Sequence, residues 1–161
     1  MTKEEFKIKR FSTTDKQEML DLLSGAELPV EDLTDKIMKN FMVARGKDNT
    51  IIGVVGIEMY QENGLLRSLL VQPAYRGKGL GSKLTREIES IARSNGIKTL
   101  YLLTMTAADF FPKFEYQVVP RDRTPESIQN TAEFNSLCPV SAVCLCKTLD
   151  SPIRLSPKST L

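Results

Sequence analysis

The residues best placed to do chemistry run from Val71 to Ser82, Val-Gln-Pro-Ala-Tyr-Arg-Gly-Lys-Gly-Leu-Gly-Ser. Glycines at 77, 79 and 81 let the backbone turn tightly and approach a ligand closely. The stretch sits between an apolar strand pattern and an amphipathic helix pattern, so free amides and the helix dipole converge at the helix start. Arg76 and Lys78 add positive charge. The ligand that suits such a loop is a phosphate or pyrophosphate. The spacing is neither that of the P-loop nor that of the dinucleotide fingerprint.

Two further residues carry chemistry. Glu58 ends the otherwise apolar run Ile51–Met59 and is a candidate general base, with an exposed strand-end carboxylate as the plain alternative. Arg67 stands among Leu65, Leu66, Leu69 and Leu70. A charge buried there needs a partner. That partner is Glu58 or Glu133 in an ion pair, or a substrate carboxylate or arsonate-like oxyanion in a bidentate clamp.

Other chemistries are excluded. The chain of 161 residues has no histidine, which removes His-based triads and the commonest metal ligand. Cys138, Cys144 and Cys146 lack zinc spacing and are odd in number, so no metal site and no disulfide framework is expected. Cys138 reads as a buried, inert thiol. With 22 basic and 20 acidic residues the net charge is +2, too balanced to point to nucleic acid or an anionic membrane. Met1–Arg10 is charged and lacks an apolar signal core, and no apolar run reaches spanning length. A cytoplasmic protein with no membrane contact is the expectation.

The elements that must position these residues follow from periodicity. Strands are expected at 6–11, 41–45, 51–60, 65–71, 97–104, 117–120 and 141–149. Helices are expected after Ser12–Asp15 up to Gly25, from the Leu28–Leu33 start toward Lys39, and over 82–95, 107–114 and 124–131. Glu31 and Asp32 suit the second helix start, or could meet a substrate ammonium. Lys47–Thr50 and Asn63-Gly64 read as turns. In the 82–95 helix Leu84, Ile88 and Ile91 face inward, and Lys83, Arg86, Glu87 and Glu89 outward. Strand, helix, strand over 65–104 implies a parallel crossover. Asp150–Leu161 reads as a flexible tail after a single domain over 1–149.

Arg76-Gly77-Lys78-Gly79-Leu80-Gly81 resembles the Arg/Gln-x-x-Gly-x-Gly/Ala signature of the GNAT N-acetyltransferases, and Leu69–Tyr75 resembles that family's lead-in. The element order extends the resemblance over residues 6 to 149. It implies an α/β (α+β) fold, a mixed, mostly antiparallel sheet of about six or seven strands flanked by helices. A splay is implied between the strands at 65–71 and 99–104. Acetyl-CoA would then lay its pyrophosphate on Arg76, Gly77, Lys78, Gly79, Leu80, Gly81 and Ser82, and its pantetheine along Leu69, Leu70 and Val71. A backbone N–H of that strand would meet the oxyanion, and an amine would attack the thioester directly. The family's Ala-x-x-Phe-Tyr-x-x-x-Gly-Phe pattern aligns with Ala107–Tyr116, whose last residue is Tyr in place of Phe. Phe111 stands at the Tyr position and Glu115 at the Gly position. Phe111 donates no proton, so water, Thr104 or Thr106 is left to protonate the thiolate, or no acid is needed. Phe110 and Phe111 would wall the cofactor.

Leu28–Leu33, Gly64–Leu69 and Thr131–Ala142 resemble the ArsN-type arsenic-resistance N-acetyltransferases. This implies a small, anionic, amino-acid-like amine as acceptor, an arsenical or phosphinothricin-like amino acid among them. A protein or peptide amine, and a non-catalytic CoA-binding sensor, stay open. So does a homodimer formed through the last strand.

Overall fold

The computed structural model describes residues 6–105 and 107–149. The tail expected after Asp150 and the Thr106 hydroxyl lie outside them. In chain order the elements are β1 (Phe6–Arg10), α1 (Lys16–Gly25), α2 (Asp35–Met38), β2 (Met42–Gly46), β3 (Ile51–Tyr60) and β4 (Asn63–Val71). Then follow α3 (Leu80–Ser94), β5 (Thr99–Thr104), β6 (Gln117–Val118), α4 (Glu126–Gln129) and β7 (Val143–Thr148). The strands form one seven-stranded sheet in the order β1-β2-β3-β4-β5-β7-β6. The β4–β5 ladder is parallel, and β1–β2, β2–β3, β5–β7 and β6–β7 are antiparallel. This is the expected mixed sheet. The parallel ladder joins Asn63–Leu65 to Thr99–Tyr101, the opening residues of strands that run on to Val71 and Thr104. No helix among the described residues is long and apolar enough to cross a membrane.

The chain divides into two compact units. The first holds residues up to Glu58 and Leu66–Ile88. Met19 and Leu23, one turn apart on α1, bury against Met38, Phe41, Val43, Ile51, Val54 and Leu70. At the start of α1, Ser12 N–H donates to Asp15 Oδ2 (2.8 Å), and Arg45 reaches Asp15 Oδ1 (2.6 Å) and Glu18 (3.1 Å). Burial pushes the Asp15 carboxyl up, but Arg45 and Ser12 outweigh it and hold the group below its usual range. Gly56 lies directly beneath the Phe41 ring, where a Cβ would collide with ring carbons. Gly56→Ala is therefore expected to cost about 1–3 kcal/mol through overpacking. A thermal melt checks this, and an unchanged midpoint would show that Phe41 moves aside freely.

The second unit holds Met59–Leu65 and residues from Glu89 onward. Its core joins Leu65, Ile128, Phe134 and Cys144, flanked by Tyr60, Tyr101, Leu103 and Val119. Three expectations fail here. The turn expected at Asn63-Gly64 falls at Gln61-Glu62, with Gln61 at φ 58°. Asn63 and Gly64 are drawn into the ladder with β5, and long-range pairing overrides local turn preference. Glu89 does not face solvent. It is 3% exposed, accepts from Tyr116 O–H (2.7 Å) and pairs with Lys147 Nζ (3.0 Å), which also lies 5.5 Å over the Tyr116 ring. A carboxylate is buried only where partners meet it, and these are distant in sequence. The helix expected over 107–114 is a single tight turn at Phe111–Phe114, broken by Pro112. A wide turn at Glu133–Leu137 was not foreseen.

Cys138 is half-buried rather than buried, Cys144 is buried, and none of the three cysteines forms a disulfide. Burial pushes the Cys144 thiol up to about 12 from its ordinary value of 9.0. Between those values the unfolded chain sheds a proton that the folded chain keeps, so stability falls as pH rises. Denaturant unfolding at pH 10.5 against pH 8 should show a loss of about 1–2 kcal/mol from this group. Cys144→Ala should remove that share of the slope, and an unaltered slope would contradict it.

Candidate active site

Within the first unit, β4 is irregular where the chemistry was expected. Ser68 has φ 61°, a left-handed conformation in mid-strand, and Arg67 and Ser68 are both buried in place of the usual alternation. Such a conformation in a non-glycine residue costs about 1–3 kcal/mol and persists only where surroundings impose it. Beside Ser68 stands Arg67, whose side chain is 0% exposed. Its Nε–H donates to Ser68 Oγ (3.2 Å). Nη1 donates to Glu58 Oε2 (2.6 Å) and to Asp32 Oδ2 (2.6 Å). Nη2 donates to Asp32 Oδ1 (2.9 Å) and to the Pro29 carbonyl (3.2 Å). These five bonds match the five N–H groups of a guanidinium.

The ion-pair alternative for Arg67 is thus the one the geometry fulfils, with Glu58 as foreseen and Asp32 in addition. Asp32 is not a helix-start residue. Thr34 caps α2, its hydroxyl accepting from Ile37 N–H at 3.2 Å. A faint signal was present. Asp32 sits in an apolar loop with Leu28, Val30 and Leu33, where a carboxylate calls for a cation, and Arg67 is a lone cation in an apolar strand. Ser68 left no signal, since serine does not mark a positive φ.

Beyond β4, Gln72 ties the chain to β3, its N–H to the Ile52 carbonyl (2.9 Å) and its side-chain amide to that of Ile51 (2.7 Å). Pro73–Tyr75 makes one tight turn, and Arg76 Nε–H donates back to the Val71 carbonyl (2.9 Å). Gly77 and Gly79 have φ 79° and 85°, and a Cβ on either would meet nothing within 4 Å. The loop is a bare backbone cradle that only glycine adopts cheaply. The helix α3 starts at Leu80, two residues earlier than expected, so Gly81 and Ser82 lie in its first turn. That turn carries no acidic residue. Buried Leu80 and Leu84 pin it, both packing over Gly53. A fifteen-residue helix presenting open amides beside exposed Arg76 and Lys78 can hold a phosphate or pyrophosphate.

The first unit therefore brings together Glu58, Arg67, Leu69–Val71 and the 76–82 loop. Thr104, Phe110 and Phe111 belong to the second unit. Thr104 Oγ1 accepts from Ala107 N–H at 2.9 Å. Phe111 is 3% exposed, edge-on to Phe110 (5.1 Å) and Tyr116 (5.4 Å). Glu115 has φ 74°, so it takes the left-handed conformation that the family's glycine would supply. Among the described residues no His, Cys, Asp and Glu cluster could hold a metal ion.

The acetyltransferase (GNAT) family model matches residues 8–116. An amino-acid acetyltransferase of Pseudomonas syringae pv. syringae is 41% identical over 66 residues, 41% of this chain and 15% of that protein. The amino-acid acetyltransferase of Pseudomonas fluorescens is 29% identical over 115 residues, 66% of this chain and 26% of that protein. The chain thus spans well under a third of these relatives' length. N-acetylglutamate synthase from Neisseria gonorrhoeae, complexed with coenzyme A and N-acetyl-glutamate, superposes with a TM-score of 0.79 at 18% identity. That match covers 92% of this chain and 36% of the synthase. A Mycobacterium tuberculosis protein in complex with CoA superposes at 0.76 and 18% identity, covering 89% of this chain and 99% of that one. At these identities the likeness is one of fold.

Proposed function

The chain belongs to the acetyltransferase (GNAT) family, and on that premise we propose that it transfers an acetyl group from acetyl-CoA to the amine of a small, amino-acid-like acceptor. The observation that carries the reading is the glycine cradle at Gly77 and Gly79, opening onto the first turn of α3 at the end of β4. Acetyl-CoA supplies an activated thioester and a pyrophosphate handle. The handle is held by amides of the cradle, with Arg76 and Lys78 meeting its charge. The strand Leu69–Val71 pairs with the pantetheine arm.

Glu58 takes a proton from the acceptor ammonium. The freed nitrogen attacks the thioester carbonyl carbon, a C–N bond forms, and the negative oxygen is met by a backbone N–H of Leu69–Val71. The nitrogen gives up its second proton to water, the C–S bond breaks, and the sulfur leaves with the electron pair. A thiol of pKa about 8.5 leaves without strong acid help, which accords with Phe111 at the family's Tyr position. Thr104 keeps its own hydroxyl proton for donation while accepting from Ala107. Arg67 is a positioning residue. Its N–H groups fix Glu58 and Asp32, and two carboxylates around one guanidinium suit an ammonium-bearing acceptor. The likeness to amino-acid acetyltransferases of Pseudomonas supports an amino acid as that acceptor. Arsenical and phosphinothricin-like amino acids are the narrower members of the class.

Thiol release from acetyl-CoA, read against glutamate-like amino acids, phosphinothricin, arsenical amino acids, polyamines and a peptide N-terminus, tests this. Turnover with an amino acid is the expected result. Turnover confined to the peptide would overturn the acceptor class, and CoA binding with no turnover on any amine would favour a sensor.

A further inference from the structure

A cleft of about 660 Å³ opens in the first unit, walled by β1, the start of α1 and the turn joining β2 to β3. None of the residues assigned above to acetyl transfer lines it. Its charge is one-sided. Among the described residues Lys7, Lys9, Arg10, Arg45 and Lys47 line it, against the one carboxylate of Asp15, in a chain whose whole net charge is only +2. Asp15 is already committed, to Arg45 at 2.6 Å and to Ser12 N–H at 2.8 Å. Lys7, Lys9 and Arg10 have no anionic partner among the described residues. Lys7 stands directly across the β1–β2 ladder from Arg45, with Lys9 two residues along on the same face. Like charges opposite one another on a sheet are destabilising. Arg45 is met by Asp15 and Glu18, so the charge left for a bound anion to meet is that of Lys7, Lys9 and Arg10.

We propose that this cleft is a second binding site, for a small polyanion carrying two or more phosphate or carboxylate groups. Its volume is that of a small-molecule site. Arg10 supplies a planar fork that fits phosphate or carboxylate oxygens, and the two lysines supply point charges that follow the ligand. The site is separate from the pyrophosphate cradle at Gly77 and Gly79 and holds whether or not that cradle binds CoA.

Backbone amide chemical shifts of the full chain, followed during titration with inorganic tripolyphosphate and separately with citrate at low ionic strength, test it. The expected result is a saturable shift of the Lys7, Lys9, Arg10 and Asp15 amides. The double variant Lys7→Gln/Lys9→Gln should weaken that affinity by about tenfold or more, and Lys78→Gln should leave it within twofold. Tighter binding of tripolyphosphate assigns the phosphate class, and tighter binding of citrate the carboxylate class. Both lysines are exposed, and relief of the like-charge pair should leave the double variant at least as heat-stable as the parent. Shifts confined to residues 77–82, cleft shifts unaltered in the double variant, or no cleft shift with either anion at millimolar concentration would each overturn the proposal.

Discussion

Arg67→Ala is expected to cost the fold about 3–5 kcal/mol, the penalty for leaving buried carboxylates without their cation. In a chain of this size that lowers the melting midpoint by roughly 10 °C. The loss exceeds that of the methylenes alone because Glu58 and Asp32 stay behind, 5% and 15% exposed, with one partner removed from both. The strain at Ser68 also loses the hydrogen bond from Arg67 Nε. A cycle with Glu58→Gln and Asp32→Asn separates the contributions. Neutralising both acids in the Arg67→Ala background should restore part of the stability. A midpoint within a degree of the parent for Arg67→Ala alone would show that these charges are solvated, against the contacts seen.

Glu58→Gln has the larger effect on chemistry. The amide keeps the shape of the carboxylate and still accepts from Arg67, but it takes no proton. Acetyl transfer should fall by about 10²–10⁴-fold, the usual share of a positioned base. CoA affinity should stay within about twofold, because the cradle lies at Gly77–Gly81 and Glu58 on β3. Calorimetry with CoA and steady-state turnover read the two quantities separately. Undiminished turnover would remove Glu58 as the base, and lost CoA binding would mean the substitution had disturbed the fold of β4.

The local signals were legible and the distant ones were not. Alternation in Phe6–Arg10 and the apolar run of Ile51–Tyr60 specify strands on their own. Gly77, Gly79 and the following amphipathic period specify a glycine loop and a helix, so the loop and the helix start were readable to within two residues. Of the partners named above for the catalytic candidates, the Glu58–Arg67 pair was legible and Asp32 was not. Asp32 meets Arg67 across 35 residues, and Lys147 meets Glu89 across 58. Nothing in a carboxylate's immediate neighbours states which distant cation will bury it. Glu89 sits at a position where helical periodicity alone predicts solvent, and the Tyr116 hydroxyl and the Lys147 ammonium, with Arg93 at 3.8 Å, reverse that. Ser68 and Glu115 take positive φ without being glycine, because Arg67 binds the one and the Phe111–Phe114 turn closes on the other. Local preference is silent where tertiary contacts impose the backbone.

The central claim is acetyl transfer from acetyl-CoA to a small amine, and its most direct test is a mass balance. With the best acceptor of the amine panel, CoA thiol released and N-acetylated product formed are quantified together, the product by mass. The account predicts equal molar amounts, both abolished together when the acceptor is omitted. Thiol release without an acetylated amine would show hydrolysis, and neither product with any acceptor would show a protein that binds without transferring. Either result would contradict it.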